Sequence, residues 1–219
     1  MKILYKLCIF DLDGTLLDTI DDISDSMNHI LSLYNYPLHD AETYKSFVGN
    51  GVSSLVCHSL PKDVRNEGVI SNIQAQYSQW YSGHSRIKTK PYCKIIDVLQ
   101  ILKRRGMKLA MCSNKPHTPT CELADIYFPD IFDCVYGNMH GMAHKPDPAI
   151  IFEIMKRLES ESKDTALIGD SDIDMKTAKA AGILAVGVTW GYRSRDILMQ
   201  SGADKIISAP LELLDETMR

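Results

Sequence analysis

The sequence lacks the features that would mark a membrane protein, a nucleic-acid-binding protein or a disulfide-rich protein. No apolar run is long enough to cross a bilayer. Basic residues are not in excess, because 24 Lys and Arg face 28 Asp and Glu, for a formal net charge of −4. Its six cysteines include no CxxC pair, so they fit a reducing compartment better than a zinc or disulfide framework. We therefore expect a cytoplasmic protein without nucleic-acid or membrane partners.

Apolar runs rich in β-forming residues are present instead, in a chain of 219 residues that is 45% hydrophobic. The runs do not alternate polar with apolar residues, so each strand is expected to be buried on both faces, as in a parallel sheet. The strongest runs are 6–10, 108–112, 166–168 and 184–189, and weaker ones are 134–136 and 205–207.

Helical patterns lie between these runs. In 94–105, apolar residues recur at helical spacing, and basic residues followed by Gly106 give a helix stop signal. Residues 147–158 and 172–181 also have helical periodicity. Alternation of strands and helices predicts an α/β fold with a Rossmann-like, doubly wound parallel sheet.

One region, from about 19 to 86, contains no buried strand pattern. Thr19 and Asp22 have the spacing of a capping box at the start of a helix. Further helical stretches are predicted at 41–47, 52–59 and 64–82. We therefore predict a helical cap domain over 18–86, inserted into an α/β core formed by 1–17 and 87–219.

The stretch CIFDLDGTLLD places Asp11 and Asp13 where the first predicted strand ends. In open α/β sheets, ligands bind outside the carboxyl ends of the strands. Side chains at i and i+2 of an extended segment point to the same side, and two such carboxylates need a shared proton or a cation such as Mg²⁺. The Asp-Gly pair is also a common hairpin turn, and this alternative stays open for the stretch taken alone.

Other predicted strand ends carry polar residues of complementary kinds. Ser113 and Asn114 follow the second strong run, where a hydroxyl and backbone N–H groups can hold phosphate oxygens. Lys145 precedes a proline turn, and Asp170 and Asp174 follow the 166–168 run, one helical turn apart. We interpret Asp172 as an ordinary acid at a helix N-terminus, and Asp18 as the N-cap of the first cap helix.

These segments, in this order, resemble the haloacid dehalogenase superfamily over essentially the whole chain. The matching motifs are Asp11-Leu12-Asp13-Gly14-Thr15, Ser113-Asn114, Lys145-Pro146, and Gly169-Asp170-Ser171 with Asp174. Val48-Gly49-Asn50-Gly51, Ser113-Asn114-Lys115-Pro116 and Thr189-Trp190-Gly191-Tyr192 are most similar to phosphoglycolate phosphatases.

The resemblance implies a Mg²⁺-dependent phosphatase acting through an aspartyl-phosphate. Asp11 is then the nucleophile and Asp13 the general acid and base, with the Asp13 backbone carbonyl also a metal ligand. The remaining implied roles are metal binding by Asp11 and Asp170 with Asp174 in the outer shell, and phosphate binding by Gly14, Ser113, Asn114 and Lys145. Lys145 is also an implied catalytic residue, which holds the Asp11 carboxylate.

The expected partner is a small phosphorylated metabolite, with 2-phosphoglycolate as the leading substrate. Gly49, Asn50 and Gly51 are predicted to face the substrate from the cap, although the same residues also fit a plain turn. An inorganic pyrophosphatase, a sugar-phosphate phosphatase and a phosphomutase remain alternatives. Asp13 argues against a dehalogenase, and the cap insert argues against a phosphorylated signalling module. Monomer and homodimer both stay open.

Overall fold

A six-stranded parallel sheet forms the centre of the structure, a computed structural model that describes residues 5–139, 141 and 143–215. Its strand order is β5-β4-β1-β6-β7-β8, and every adjacent pair runs parallel. A separate two-stranded ribbon contains β2 and β3. In chain order the strands are β1 (Leu7–Phe10), β2 (Leu17–Asp18), β3 (Lys90–Pro91), β4 (Lys108–Pro116), β5 (Cys134–Asn138), β6 (Thr165–Gly169), β7 (Leu184–Val188) and β8 (Lys205–Ile207).

Helices follow most strands and cover both faces of the sheet. Strand β1 shows why both faces need cover, since Cys8 and Phe10 belong to one apolar cluster and Leu7 and Ile9 to another. The predicted α/β fold with a doubly wound parallel sheet is therefore confirmed. The helices are α1 (Ile20–Leu33), α2 (Ala41–Phe47), α3 (Gly51–Ser59), α4 (Glu67–His84), α5 (Ile95–Arg104), α6 (His117–Tyr127), α7 (Ala149–Arg157), α8 (Asp172–Ala181) and α9 (Arg195–Gln200).

Strand β4 is longer than the sequence pattern indicated. It continues from Lys108 to Pro116, so Ser113, Asn114 and Lys115 lie within the strand and are buried. The sequence pattern ended this strand at residue 112 and placed Ser113 and Asn114 after it, and that boundary was wrong. Pairing of Pro116 with Asn138 of β5 extends the ladder past an irregularity in register.

The chain divides into two compact units. One comprises the chain up to Leu17 and from Pro91 onward, and it holds the six-stranded sheet. The other, Asp18–Lys90, is helical and contains α1 to α4. The second boundary thus falls after Lys90, whereas the sequence pattern placed it at residue 86.

Within the helical unit, Asp22 explains why the unit extends beyond residue 86. Its buried carboxylate accepts hydrogen bonds from the backbone N–H groups of Ile87 (3.0 Å), Lys88 (2.9 Å) and Thr89 (2.8 Å). Thr19 is the N-cap of α1 and makes no side-chain capping bond. The predicted capping box of Thr19 with Asp22, and the alternative cap by Asp18, were therefore wrong, because Asp22 binds a distant segment.

Among the described residues, no helix combines the length and the apolar character needed to cross a bilayer. The longest helix, α4, has 18 residues and a largely exposed, polar surface.

Candidate active site

The candidate residues lie at the carboxyl ends of three neighbouring strands, β4, β1 and β6. Asp11 directly follows β1, Ser113 lies in the last part of β4, and Asp170 directly follows β6. Because parallel strands end at the same edge of a sheet, residues far apart in sequence meet there. The sheet therefore brings together three of the four segments that carry the predicted motifs.

A buried group of three carboxylates forms the centre of the site. One oxygen each of Asp11, Asp170 and Asp174 lie within 4.8 Å of one another. Lys145, which is 1% exposed, places Nζ 2.9 Å from Asp11 Oδ1 and 2.6 Å from Asp174 Oδ1. The fourth predicted motif thus joins the same site, with its lysine bridging two of the three carboxylates.

Burial dominates the electrostatics of this group. It raises the pKa of Asp11, although Lys145 acts in the opposite direction, and it raises the pKa of Asp170 to about 7, with Asp174 adding to the effect. For Lys145, burial would lower the pKa, but Asp11 and Asp174 outweigh it and raise that pKa. Burial therefore disfavours the charged forms of Asp11 and Asp170 in the metal-free protein.

The carboxylate oxygens in this group are suitable ligands for a hard divalent cation. Three carboxylates against one ammonium leave two negative charges. Asp11 Oδ1 is also buried, and within the described part of the chain its polar contact is the ion pair with Lys145. Carboxylate oxygens are the ligands that Mg²⁺ prefers. The chemistry of the donor set is thus suited to the predicted Mg²⁺.

Asp170 is held on both sides. Thr15 Oγ1 donates to Asp170 Oδ1 at 2.8 Å, and the Tyr192 backbone N–H donates to Oδ2 at 2.8 Å. A Cβ on Gly14 would lie 2.3 Å from Asp170 Oδ2, and Gly14 has a φ of +86°. A Cβ on Gly191 would come equally close to Asp170 Cβ. These two positions therefore require glycine for the carboxylate to occupy its place.

Asp174 is fixed by the start of α8. Ser171 donates to Asp174 Oδ2 through its backbone N–H (3.1 Å) and its hydroxyl (2.5 Å), and the two residues form a capping box. Asp174 Oδ1 receives the bond from Lys145. A Cβ on Gly169 would lie 2.3 Å from Asp174 Cγ. Because glycine has no Cβ, the Asp174 carboxylate can pack against the end of β6.

Asp13 is paired with Lys115, a residue that was not predicted as part of the site. Lys115 Nζ lies 3.2 Å from Asp13 Oδ1 and 3.3 Å from Oδ2. The sequence contained one indication of this contact, since Lys115 directly follows Ser113 and Asn114 in the motif. Thr15, Ser171 and Tyr192 were also not assigned roles, and their contacts with Asp170 and Asp174 emerge only from the structure.

Three of the predicted phosphate-binding residues, Gly14, Ser113 and Asn114, form hydrogen bonds within the protein. Asn114 Nδ2 donates to the backbone carbonyl of Lys145 at 2.8 Å, so it joins β4 to the Lys145 loop. Ser113 Oγ accepts from the Lys115 N–H at 3.2 Å. The Gly14 N–H donates to Leu17 O at 2.9 Å. Phosphate binding by Gly14, Ser113 and Asn114 stays a prediction.

The predicted substrate-facing residues belong to the helical unit. Gly49 has a φ of +126°, Asn50 is the N-cap of α3, and Gly51, with a φ of +78°, begins that helix. These positive φ values account for the glycines on either side of Asn50. Their role in substrate selection stays a prediction.

A family model described as haloacid dehalogenase-like hydrolase matches residues 8–188, which include every candidate residue of the sheet unit from Asp11 to Asp174. The chain belongs to this family. The resemblance inferred from the sequence motifs is therefore confirmed, and the chain is an enzyme.

Relatives and a solved structure show where in the family this hydrolase lies. Phosphoglycolate phosphatase 1 of Pseudomonas aeruginosa is 30% identical over 214 residues, 95% of this chain and 78% of the relative. A phosphoglycolate phosphatase of Haemophilus influenzae is 28% identical over 222 residues, 98% of this chain and 99% of the relative. A crystal structure from Lactobacillus delbrueckii subsp. bulgaricus, a candidate phosphoglycolate phosphatase, has a TM-score of 0.90 at 30% identity, covering 95% of this chain and 96% of that one. The hydrolase is therefore phosphoglycolate phosphatase-like.

Proposed function

We propose that this phosphatase is a Mg²⁺-dependent phosphomonoesterase of a small phosphorylated metabolite, with 2-phosphoglycolate as the leading substrate. The names of the relatives in P. aeruginosa and H. influenzae support the substrate. The observation that carries the chemistry is the buried group of Asp11, Asp170 and Asp174 with Lys145 between two of its members.

Asp11 is the proposed nucleophile. An oxygen of its carboxylate bonds to phosphorus while the ester P–O bond breaks, which gives an aspartyl-phosphate and divides the hydrolysis into two steps. Among the described residues, Asp11 Oδ1 forms an ion pair with Lys145 and has no assigned hydrogen bond, and the Asp11 backbone N–H donates to Ile168 O at 2.9 Å. A nucleophile fixed through its backbone, with an oxygen not engaged in a hydrogen bond, supports this role.

Asp13 is the proposed general acid and base. It gives its proton to the leaving alcohol oxygen in the first step and takes a proton from water in the second. That water attacks phosphorus, the bond from phosphorus to Asp11 breaks, and inorganic phosphate leaves. Asp13 lies two residues from Asp11 on the segment that follows β1, which supports the proposal that both act on the same phosphoryl group.

The remaining residues of the site are proposed to bind the phosphoryl oxygens and the metal ion. Lys145 and Ser113, assisted by Asn114 and the backbone near Gly14, are proposed to hold phosphoryl oxygens. Mg²⁺ bound by Asp11, Asp170 and the Asp13 carbonyl, with Asp174 beside it, would supply the positive charge that offsets the phosphate and the carboxylates. The helical unit Asp18–Lys90 is proposed to act as the cap domain, with Gly49, Asn50 and Gly51 setting specificity.

A substrate comparison tests the proposed function. We expect purified protein with Mg²⁺ to hydrolyse 2-phosphoglycolate with a kcat/KM at least 100-fold above that for pyrophosphate or glucose phosphates, about 2.7 kcal/mol of transition-state binding. Phosphate release under steady-state conditions measures this. A higher kcat/KM for pyrophosphate would make the protein a pyrophosphatase, and retention of the phosphoryl group with its return to a second sugar position would make it a mutase.

The loss of activity caused by replacing Asp13 with Asn should depend on the leaving group. An alkyl ester such as 2-phosphoglycolate needs its leaving oxygen protonated, whereas p-nitrophenolate leaves without a proton. We expect a loss of about 10²- to 10⁴-fold in kcat on the alkyl ester and a clearly smaller loss for formation of the phospho-enzyme from p-nitrophenyl phosphate. Rapid-quench measurement of the first step compares the two, and equal losses would contradict the acid role.

A further inference from the structure

A second buried lysine lies next to the proposed general acid. The side chain of Lys115 is 6% exposed and that of Asp13 is 11% exposed. Nζ lies almost equally far from the two Asp13 oxygens, at 3.2 and 3.3 Å. The proposed mechanism assigns no task to this ammonium, although burying a charged group costs free energy.

The backbone of Lys115 is held firmly by its neighbours in the sheet unit. Its N–H donates to Ser113 Oγ at 3.2 Å, and its carbonyl accepts from Thr120 Oγ1 of α6 at 3.3 Å. A Cβ on Gly137 of β5 would lie 2.8 Å from the same carbonyl, so β5 also packs closely here. The ammonium therefore extends from a rigid base on β4 toward Asp13.

We propose that Lys115 is a substrate-binding residue that selects phosphate esters whose leaving group carries a carboxylate next to the ester oxygen. The proposal rests on the proposed function, because it takes Asp13 as the acid that contacts the leaving oxygen. An ester oxygen within hydrogen-bond distance of Asp13 lies no more than about two hydrogen-bond lengths from Lys115 Nζ. In 2-phosphoglycolate one carbon separates that oxygen from the carboxylate, which brings the carboxylate within reach of the ammonium.

The same site contains a lysine that already binds two carboxylates. Lys145 Nζ contacts Asp11 at 2.9 Å and Asp174 at 2.6 Å. An ammonium carries three donors, so Lys115 can likewise contact Asp13 and a substrate carboxylate together. Attraction between opposite charges is stronger in a buried site than in water, and a neutral leaving group of the same size would not gain it.

Two substrates of nearly equal size test the proposal. 2-Phosphoglycolate and 2-hydroxyethyl phosphate have the same ester linkage, but only the first has a carboxylate. We expect the wild-type enzyme with Mg²⁺ to prefer 2-phosphoglycolate at least tenfold in kcat/KM. Lys115→Met should reduce this preference to nearly one, mainly through a higher KM for 2-phosphoglycolate. Lys115→Arg, which keeps the positive charge, should retain part of the preference.

The outcomes separate this proposal from the proposed function. Equal losses on both substrates in Lys115→Met would mean that Lys115 only orients Asp13, and would overturn the selection role. A wild-type enzyme that hydrolyses both substrates equally well would overturn it too, and this comparison needs no variant that might fold poorly. A wild-type enzyme inactive on every phosphate ester would instead overturn the proposed function.

Discussion

Replacing Asp11 with Asn should lower phosphatase kcat by at least about 10⁴-fold, or about 5.5 kcal/mol of transition-state stabilisation. The amide oxygen is neutral and a poor nucleophile, and Asn cannot form the aspartyl-phosphate on which both steps depend. Steady-state phosphate release measures the loss. Rapid acid quench followed by mass spectrometry of the peptide that contains residue 11 should find a phosphoryl adduct in the wild type and none in the variant.

Asp172→Asn is the matched control for this variant. Asp172 begins α8 close to Asp174 in sequence, but its carboxylate is partly exposed and pairs with Lys176 at 2.6 Å. The same chemical change there should leave kcat within about twofold, because surface substitutions usually have small effects. Near-normal turnover by Asp11→Asn would remove the nucleophile assignment, whereas a comparable loss in Asp172→Asn would show that the assay reports general damage.

A measurement of thermal stability should show whether Asp11→Asn lowers activity through the chemistry or through misfolding. Burial raises the pKa of Asp11, so in metal-free protein its charged form is unfavourable in the fold. This cost is absent below the usual carboxyl pKa, where the group is protonated in both folded and unfolded protein, and it is fully present above the raised pKa. A neutral amide avoids it, so the melting temperature of metal-free Asp11→Asn at pH 8 should equal or exceed that of the wild type.

The sheet and most of its site residues could be predicted because their signals are local. Strands β1 and β6 contain short apolar runs, and Asp11 and Asp170 each directly follow one of these strands. In a parallel sheet this position alone places them at one edge. Lys145 could be placed only through the family motif, because a lysine after a polar loop carries no local signal of burial.

Contacts between segments distant in sequence could not be predicted. Asp22 had the spacing of a capping acid, yet its carboxylate binds the backbone of 87–89. Lys115 looked like a residue of a polar turn, but β4 continues through it and buries it against Asp13. Helix α6 was missed because its buried residues, Thr120, Leu123 and Ala124, include only one large apolar side chain. For Asp22 and Lys115, a partner far along the chain decides the local structure.

Metal removal is expected to have an effect nearly as large as loss of the nucleophile. Excess EDTA should lower phosphatase activity at least about 10³-fold, or about 4 kcal/mol, and Mg²⁺ added above the chelator should restore it. The physical reason is the excess of two negative charges in the group of Asp11, Asp170, Asp174 and Lys145, to which an anionic phosphate would add more. Full activity in EDTA would exclude the metal role.

A binding measurement independent of activity sharpens this prediction. Mg²⁺ that binds only the folded protein stabilises it by about 2.7 kcal/mol at 100 times its dissociation constant, so thermal unfolding across a Mg²⁺ series reports affinity. We expect Asp170→Asn to need at least tenfold more Mg²⁺ for the same rise in melting temperature. Asp172→Asn, the control at a partly exposed carboxylate, should follow the wild-type curve.

Asp170 is the best position for this charge removal because its two hydrogen bonds can survive it. In the wild type, the Tyr192 N–H donates to Asp170 Oδ2 and Thr15 Oγ1 donates to Asp170 Oδ1. In the variant, the Asn oxygen can accept from the Tyr192 N–H while the Asn NH₂ group points toward Thr15 Oγ1. A hydroxyl can accept as well as donate, so Thr15 can adapt to the amide without losing its bond. The variant therefore removes one negative charge with little change in shape. A Mg²⁺ response equal to the wild type would then show that Asp170 does not contribute to cation binding.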